Sequence, residues 1–263
     1  MKEVIKKFIP EIILNQYRRH TIDAKKKKAL QLYEGTAVIC SICNSEFKEF
    51  GEFGLSKRKN AQCHKCNSLE RHRLSWKYIN ERTDLLKSTK RLRLLHFAPE
   101  KVFYDIFSAH QNIEYYPCDL MPEKYSFSGN VKVSKADITD IPFENDFFDV
   151  IICNHVLEHI PNDALAMSEL YRVLKKKGWA ILQVPIDYSR EKTYEDFSIT
   201  KPEEREKAFG QNDHVRWYGR DYKDRLRKSG FKVNEDDFVK TFSEDEIFRF
   251  GFISSELIYY CEK

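Results

Sequence analysis

The sequence predicts an α/β protein: a doubly wound, mostly parallel sheet of seven strands, preceded by an N-terminal helix and a small four-cysteine module. Three observations carry this prediction. After residue 91, short apolar runs alternate with amphipathic stretches, as a parallel sheet with crossover helices requires. Two Cys-x-x-Cys pairs stand upstream of that region. The composition, 41% hydrophobic and 33% charged, is that of a folded globular chain, and 263 residues suffice for one such domain plus an accessory module.

Residues 1–35 read as helical and basic, with Val4, Phe8, Ile12 and Ile13 spaced to share one face. The lysine run at 25–28 reads as a solvated face. A sharper reading of this segment is peripheral contact with an anionic membrane surface, which basic amphipathic helices favour. Pro10 and Glu11 interrupt any secretory apolar region, so no signal peptide is readable. No apolar stretch approaches the roughly 20 residues of a membrane-spanning helix. A cytoplasmic location is the resulting expectation. The formal net charge of +4 is too small to mark a protein that coats nucleic acid, although the first ninety residues carry an excess of Lys and Arg.

Residues 36–90 form the second module. Cys40-x-x-Cys43 and Cys63-x-x-Cys66 have the spacing of a structural zinc site made of two knuckles, each turn aiming two thiolates at one point. Four sulfurs leave no open position, so such a site is structural. Two disulfides or a rubredoxin-type iron centre are the competing readings of the same four residues. His64 and His72 lie close by, but a filled sphere makes them surface or packing residues. The stretch Leu69 to Leu86 reads as a helix linking this module to the next.

From residue 91 to 263 the predicted strands are Leu92–Phe97, Ile113–Cys118, Val131–Ala136, Phe148–Cys153, Trp179–Val184, Phe231–Phe238 and Glu256–Cys261, the last two closing the sheet in antiparallel fashion. Helices are expected at Val102–Ala109, Ala164–Leu174 and Asp221–Ser229. Gly178 after three lysines reads as a helix stop, and Gly230 as another. The polar, charged stretch between 187 and 219 reads as a substrate-facing insertion or lid. Cys118, Cys153 and Cys261 lie in apolar surroundings and read as small core residues.

Four segments of this domain have the order of a nucleotide-cofactor site. Leu94-Leu95-His96-Phe97-Ala98-Pro99-Glu100 supplies a first strand and its loop, and Asp119 supplies an acid at the end of the next strand for ribose hydroxyls. Asp137, with Ile138 beside it, could accept an adenine amino group while the apolar neighbour packs on the ring. The fourth segment runs from Ile141-Pro142-Phe143 through Phe148-Asp149 to Cys153-Asn154-His155-Val156-Leu157-Glu158-His159.

At these residues the stretch from about Leu92 to Phe238 resembles the Rossmann-like (class I) S-adenosylmethionine-dependent methyltransferases. The cysteine pairs running into Ser68-Leu69-Glu70-Arg71-His72-Arg73, the His-Phe-Ala-Pro-Glu loop and the segment Phe209 to Gly219 resemble a subgroup with an N-terminal zinc ribbon. The resemblance implies that Phe97, Ala98, Pro99, Glu100, Asp119, Leu120, Asp137, Ile138, Asn154 and His155 hold S-adenosylmethionine. It also draws attention to Asp213, His214 and Arg216. One departure stands out: the first loop of these enzymes normally carries several glycines, and this chain has none between Leu92 and Ser128.

Methyl transfer is an in-line displacement, so a base beside the methyl group is the residue to seek. The preferred assignment takes His214 as base, Asp213 nearby and Arg216 holding an anionic acceptor, with His155 as the other candidate base past the fourth strand. The leading acceptor class is a glycan, glycolipid or other small metabolite methylated on oxygen. An RNA methyltransferase and a non-catalytic module that has lost the cofactor are the alternatives.

Overall fold

The structure, a computed structural model, describes residues 21, 24, 26–54 and 56–263. The apolar face assigned to Val4, Phe8, Ile12 and Ile13, and with it the membrane-surface reading, lies outside the described residues. Residues 26–32 are helical, and their lysines Lys26, Lys27 and Lys28 are exposed. Among the described residues no helix is long and apolar enough to cross a membrane.

The chain divides into two compact units, residues 1–77 with 239–254 and residues 78–238 with 255–263. The division at 77/78 falls inside one helix, Glu70–Arg82. A late segment, 239–254, joins the cysteine module rather than the sheet.

In the first unit, β1 (Val38–Ile39) pairs antiparallel with β2 (Glu46–Phe47), and β3 (Gly51–Phe53) with β4 (Arg58–Gln62). Each pair leads out of or into one cysteine knuckle. A core too small for independent stability, Val38, Phe47 and Phe50 with the buried cysteines, fills the space between them. Arg73 fastens the module internally. Its buried guanidinium donates to the carbonyls of Ala61, Ser68, Phe250 and Gly251 and stacks 3.9 Å from the Phe50 ring centroid. Gly251 turns the chain there at φ 60°, where a Cβ would stand 2.6 Å from Arg73 Nη2, so only glycine fits. The helix Glu244–Phe250 before it starts in a capping box formed by Ser243 and Glu246.

The second unit is the predicted α/β sheet. Seven strands, β5 (Leu92–Phe97), β6 (Ile113–Asp119), β7 (Ser134–Lys135), β8 (Phe148–Asn154), β9 (Leu174–Gln183), β12 (Lys232–Asp236) and β13 (Ile258–Glu262), line up in the order β12-β13-β9-β8-β5-β6-β7. Pairings from β7 to β9 are parallel, and β13 is inserted antiparallel between β9 and β12. Strand order reverses between β5 and β8. That switch point opens a crevice at the carboxyl ends of the strands. The central strands read as unbroken apolar runs because both faces are covered, and Ile151, Cys153, Leu182 and Cys118 are all buried in one core.

Two expectations are corrected. The strand predicted over Val131–Ala136 is only Ser134–Lys135, at the sheet edge. Gly178 does not stop a helix: the helix Asp163–Val173 ends earlier, and β9 runs from Leu174 through Gly178 to Gln183. The three lysines form an irregularity in the pairing, which shifts register between Phe148 and Val150, with Lys177 at φ 67°. A Cβ on Gly178 would stand 2.8 Å from the Asp149 carbonyl oxygen, so the glycine serves strand contact.

The stretch 187–219 is ordered locally. β10 (Tyr194–Glu195) pairs with β11 (Arg216–Trp217), and the helix Pro202–Phe209 between them ends on Gly210 at φ 81°.

Candidate functional site

The two cysteine knuckles are built alike. In each, the N–H of the first cysteine donates to the carbonyl five residues on (Cys40 to Ser45, Cys63 to Ser68), and its own carbonyl accepts from the residue four positions on (Asn44, Asn67). Those two asparagines sit at φ 53° and 59°, in the left-handed region that asparagine tolerates better than most residues. Asn after each second cysteine was a signal in the sequence that the spacing argument did not use. Sγ atoms of Cys40 and Cys66, and of Cys43 and Cys63, are 3.6 Å apart, and Ser68 Oγ lies 3.2 Å from both Cys40 and Cys66. This is far beyond an S–S bond, which removes the disulfide reading. It is close to the edge of about 3.8 Å of a tetrahedron with metal–sulfur bonds of about 2.3 Å. Contacts among the four thiols push Cys40 and Cys43 below the ordinary thiol range and Cys63 and Cys66 above it.

In the sheet unit, a cavity of about 420 Å³ opens at the carboxyl ends of the strands. Its walls come from the loops after successive strands. Phe97 and Ala98 follow β5, Asp119 and Leu120 follow β6, and Asp137 and Ile138 follow β7. His155 and His159 follow β8, and Asp213 reaches in from the 187–219 stretch. Ala98 stands at φ 48° and His155 at φ 54°. The two turns flanking the switch point thus adopt the left-handed backbone that glycine usually supplies, at a cost of about 1–2 kcal/mol each. The first loop reaches the same geometry without glycine because Ala98 N–H is anchored on the Cys118 carbonyl at 2.9 Å.

Three residues expected at the cofactor, Pro99, Glu100 and Asn154, are not in the cavity wall. Glu100 instead joins two strands, its Oε2 lying 2.8 Å from His96 Nε2 and its Oε1 accepting from Asn154 Nδ2 at 3.1 Å. Asn154 Oδ1 is left buried without a partner among the described residues. Asp119 accepts from Met121 N–H and the Tyr125 hydroxyl, each at 2.7 Å; Asp137 accepts from Thr139 N–H and hydroxyl. Those Thr139 contacts lower the Asp137 carboxyl, and burial followed by the Asp119 hydrogen bond raises the Tyr125 phenol.

The acceptor-side residues separate. Asp213 is 61% exposed at its side chain and lies at the cavity mouth. His214 is buried behind it, outside the cavity wall, with Nδ1 3.1 Å from the Phe209 carbonyl; burial pushes it below its usual range. His155 is in the wall, with Nδ1 3.3 Å from Glu158 Oε1.

Arg216 does not hold an acceptor. It is 1% exposed, and its guanidinium donates to the carbonyls of Leu157, Ile160 and Pro161 and to Glu195 Oε2 at 2.9 Å. With Val215 N–H on the Glu158 carbonyl at 2.9 Å, it clamps the segment around His214 onto the turn that carries Glu158 and His159. Glu158, which with His155 follows the fourth strand where a base is sought, is 1% exposed. Burial raises its carboxyl, but His155 and the charge of His159 more than offset that and bring it below the usual range.

Comparison with known proteins fits this geometry. The family described as a methyltransferase domain matches residues 105–182. An uncharacterized protein of Methanocaldococcus jannaschii is 39% identical over 66 residues, which is 24% of this chain and 29% of that protein. A demethylmenaquinone methyltransferase of Staphylococcus carnosus is 34% identical over 59 residues, 22% of this chain and 24% of that enzyme. The chain thus spans 24–29% of the length of these curated relatives. An S-adenosylmethionine-dependent methyltransferase from Mesorhizobium loti superposes with a TM-score of 0.50 at 13% identity, covering 72% of this chain and 98% of that one. Residues 105–182 thus match a methyltransferase domain, and the strand order with its cavity at the switch point is that of a Rossmann-like α/β fold.

Proposed function

We propose that the chain transfers a methyl group from S-adenosylmethionine to a hydroxyl of a glycan, glycolipid or other small metabolite. The observation that supports this most is the cavity of about 420 Å³, within the size range of small-ligand sites, whose wall combines a nucleotide-type half with a half bearing His155, His159 and Asp213. On this reading Phe97 and Ala98 pack on the methionine part, Asp119 binds ribose hydroxyls by exchanging its Tyr125 contact, and Asp137 and Ile138 meet the adenine. The orphaned Asn154 Oδ1, beside Glu100, keeps acceptor capacity for a donor group of a ligand. When bound, the sulfonium supplies the methyl carbon: a C–O bond forms as the C–S bond breaks, with the electron pair staying on sulfur. His155, with Nδ1 3.3 Å from the Glu158 carboxylate, takes the proton from the acceptor hydroxyl and passes it to solvent. Asp213 and His159 orient the acceptor at the cavity mouth.

The four cysteines hold one Zn²⁺ in a closed, structural site on the same reading, since the sulfur spacing suits a tetrahedron and no position is left for water.

Isothermal titration of the purified chain with S-adenosylmethionine and its demethylated product tests the donor half, and one saturable site is expected. No binding of either ends the methyltransferase reading. RNA is tested by salt: feeble affinity with little dependence on salt is expected, whereas tight binding that falls steeply with salt would turn the assignment to RNA.

A further inference from the structure

Behind the acceptor side of the cavity, three titratable side chains face one another. Glu158 Oε1 lies 4.0 Å from His214 Nε2, and a ring nitrogen of His159 lies within 4.8 Å of both ligand atoms. Carbonyl oxygens can only accept, so His214 Nδ1, 3.1 Å from the Phe209 carbonyl, and His159 Nδ1, 3.3 Å from the Asp213 carbonyl, are the protonated nitrogens of their rings. Each neutral ring then offers Nε2 as a lone pair. Both carboxylate oxygens of Glu158 are buried and lack a hydrogen-bond partner among the described residues; His155 Nδ1, at 3.3 Å, is out of alignment for one. A buried, unpartnered carboxylate 4.0 Å from the His214 lone pair, with the His159 ring beside both, is unstable unless a cation lies among them. Imidazoles whose Nδ1–H is fixed on a backbone carbonyl are also the arrangement by which proteins orient metal-binding histidines.

We infer that Glu158, His159 and His214 form a binding site for a divalent transition-metal ion, separate from the four cysteines and next to the methyl-transfer cavity. One carboxylate and two imidazoles suit manganese, iron, cobalt or zinc, and three protein ligands leave positions open for oxygen. The Glu158–His214 separation of 4.0 Å needs to contract by only about 0.6 Å to match two ligands of a tetrahedral ion with bonds of about 2.0–2.2 Å. Arg216 and the Val215–Glu158 backbone bond are the positioning elements, because they hold the residue-214 segment against the 157–160 turn. The site's role rests on the proposed methyl transfer: an acceptor hydroxyl bound at an open position would lose its proton to His155 more readily and attack the methyl carbon as oxygen already held in place.

The experiment uses the full chain with its cysteine site loaded with zinc, and manganese as the probe, since thiolates disfavour it. Free Mn²⁺ is followed by electron paramagnetic resonance, and cobalt by visible absorption. The expected result is one Mn²⁺ per chain, a cobalt spectrum without thiolate charge transfer, and binding weakened by about tenfold or more in Glu158→Gln and His214→Ala. Wild-type protein that takes up neither ion beyond the cysteine site overturns the inference, as does binding that survives both substitutions. Should either variant fail to fold, imidazole nitrogen couplings on Mn²⁺ in the wild type decide: their presence supports the site and their absence overturns it. Calorimetry with the methyl donor separates the two readings. Metal bound without donor leaves the site standing and ends the methyltransferase reading, while donor bound without metal does the reverse.

Discussion

The four-cysteine module and the corner around Glu158 are built on opposite plans. Each cysteine lies within five residues of the backbone groups that shape its knuckle, and the four sulfurs face one another and Ser68. Glu158, His159 and His214 come from two segments 55 residues apart, held together by Arg216, and lie next to an open cavity. A sphere closed by its own ligands can only stabilise. A set of acceptors left unpaired beside a cavity has capacity for chemistry, and its cost is met by the clamp around it.

The sharpest way to break the comparison is at the closed site. Cys63→Ser is expected to lose the metal equivalent and to unfold the module, since structural zinc contributes on the order of 10 kcal/mol to such small folds. Metal analysis with hydrogen exchange of residues 36–77 checks it, and a folded, exchange-protected module in the variant would contradict a structural role.

The clamp comes next. Arg216→Ala leaves Glu195 and three carbonyls without their buried donor and should cost about 3–5 kcal/mol in urea unfolding. If Arg216 instead bound an acceptor, Arg216→Lys would raise KM with stability unchanged.

At the cavity, His155→Ala should lower kcat by about 10²-fold or more on an identified acceptor while binding of the demethylated donor persists. Turnover at the wild-type rate would remove His155 as the base. The smallest effect is expected at Ala98. Because its φ is 48°, Ala98→Gly should relieve about 1 kcal/mol of backbone strain and raise Tm by a few degrees, and Ala98→Val should do the opposite.

Much of the fold was legible because the signals were local. Apolar runs marked β5, β8 and β9, whose residues nearest the cavity end are buried on both faces, and β6, which is buried fully on one face only along most of its length. The edge strand β7 was overestimated because an edge has one neighbour and needs only two paired residues. Gly178 misled because lysines followed by glycine imitate a helix end, while the real end at Val173 is set by Leu174 entering the sheet. The helix at Glu244–Phe250 announced itself in Ser243 and Glu246, a capping box that was passed over.

For the site, the sequence by itself determined the groups whose partners lie a few residues away: the two cysteine knuckles with their asparagines, and the acids and small residues at the ends of successive strands. Only the tertiary structure decided that Arg216 is a buried clamp and that His214 stands beside Glu158. It alone also placed residues 239–254 with the cysteines rather than with the sheet. The physical reason is one of range. A knuckle or a strand end is selected by dihedral preference and hydrogen bonds within about one turn of chain, and these can be read from residue types in order. The environment of a charge is set by whatever the chain's path packs against it, and no local preference encodes that path.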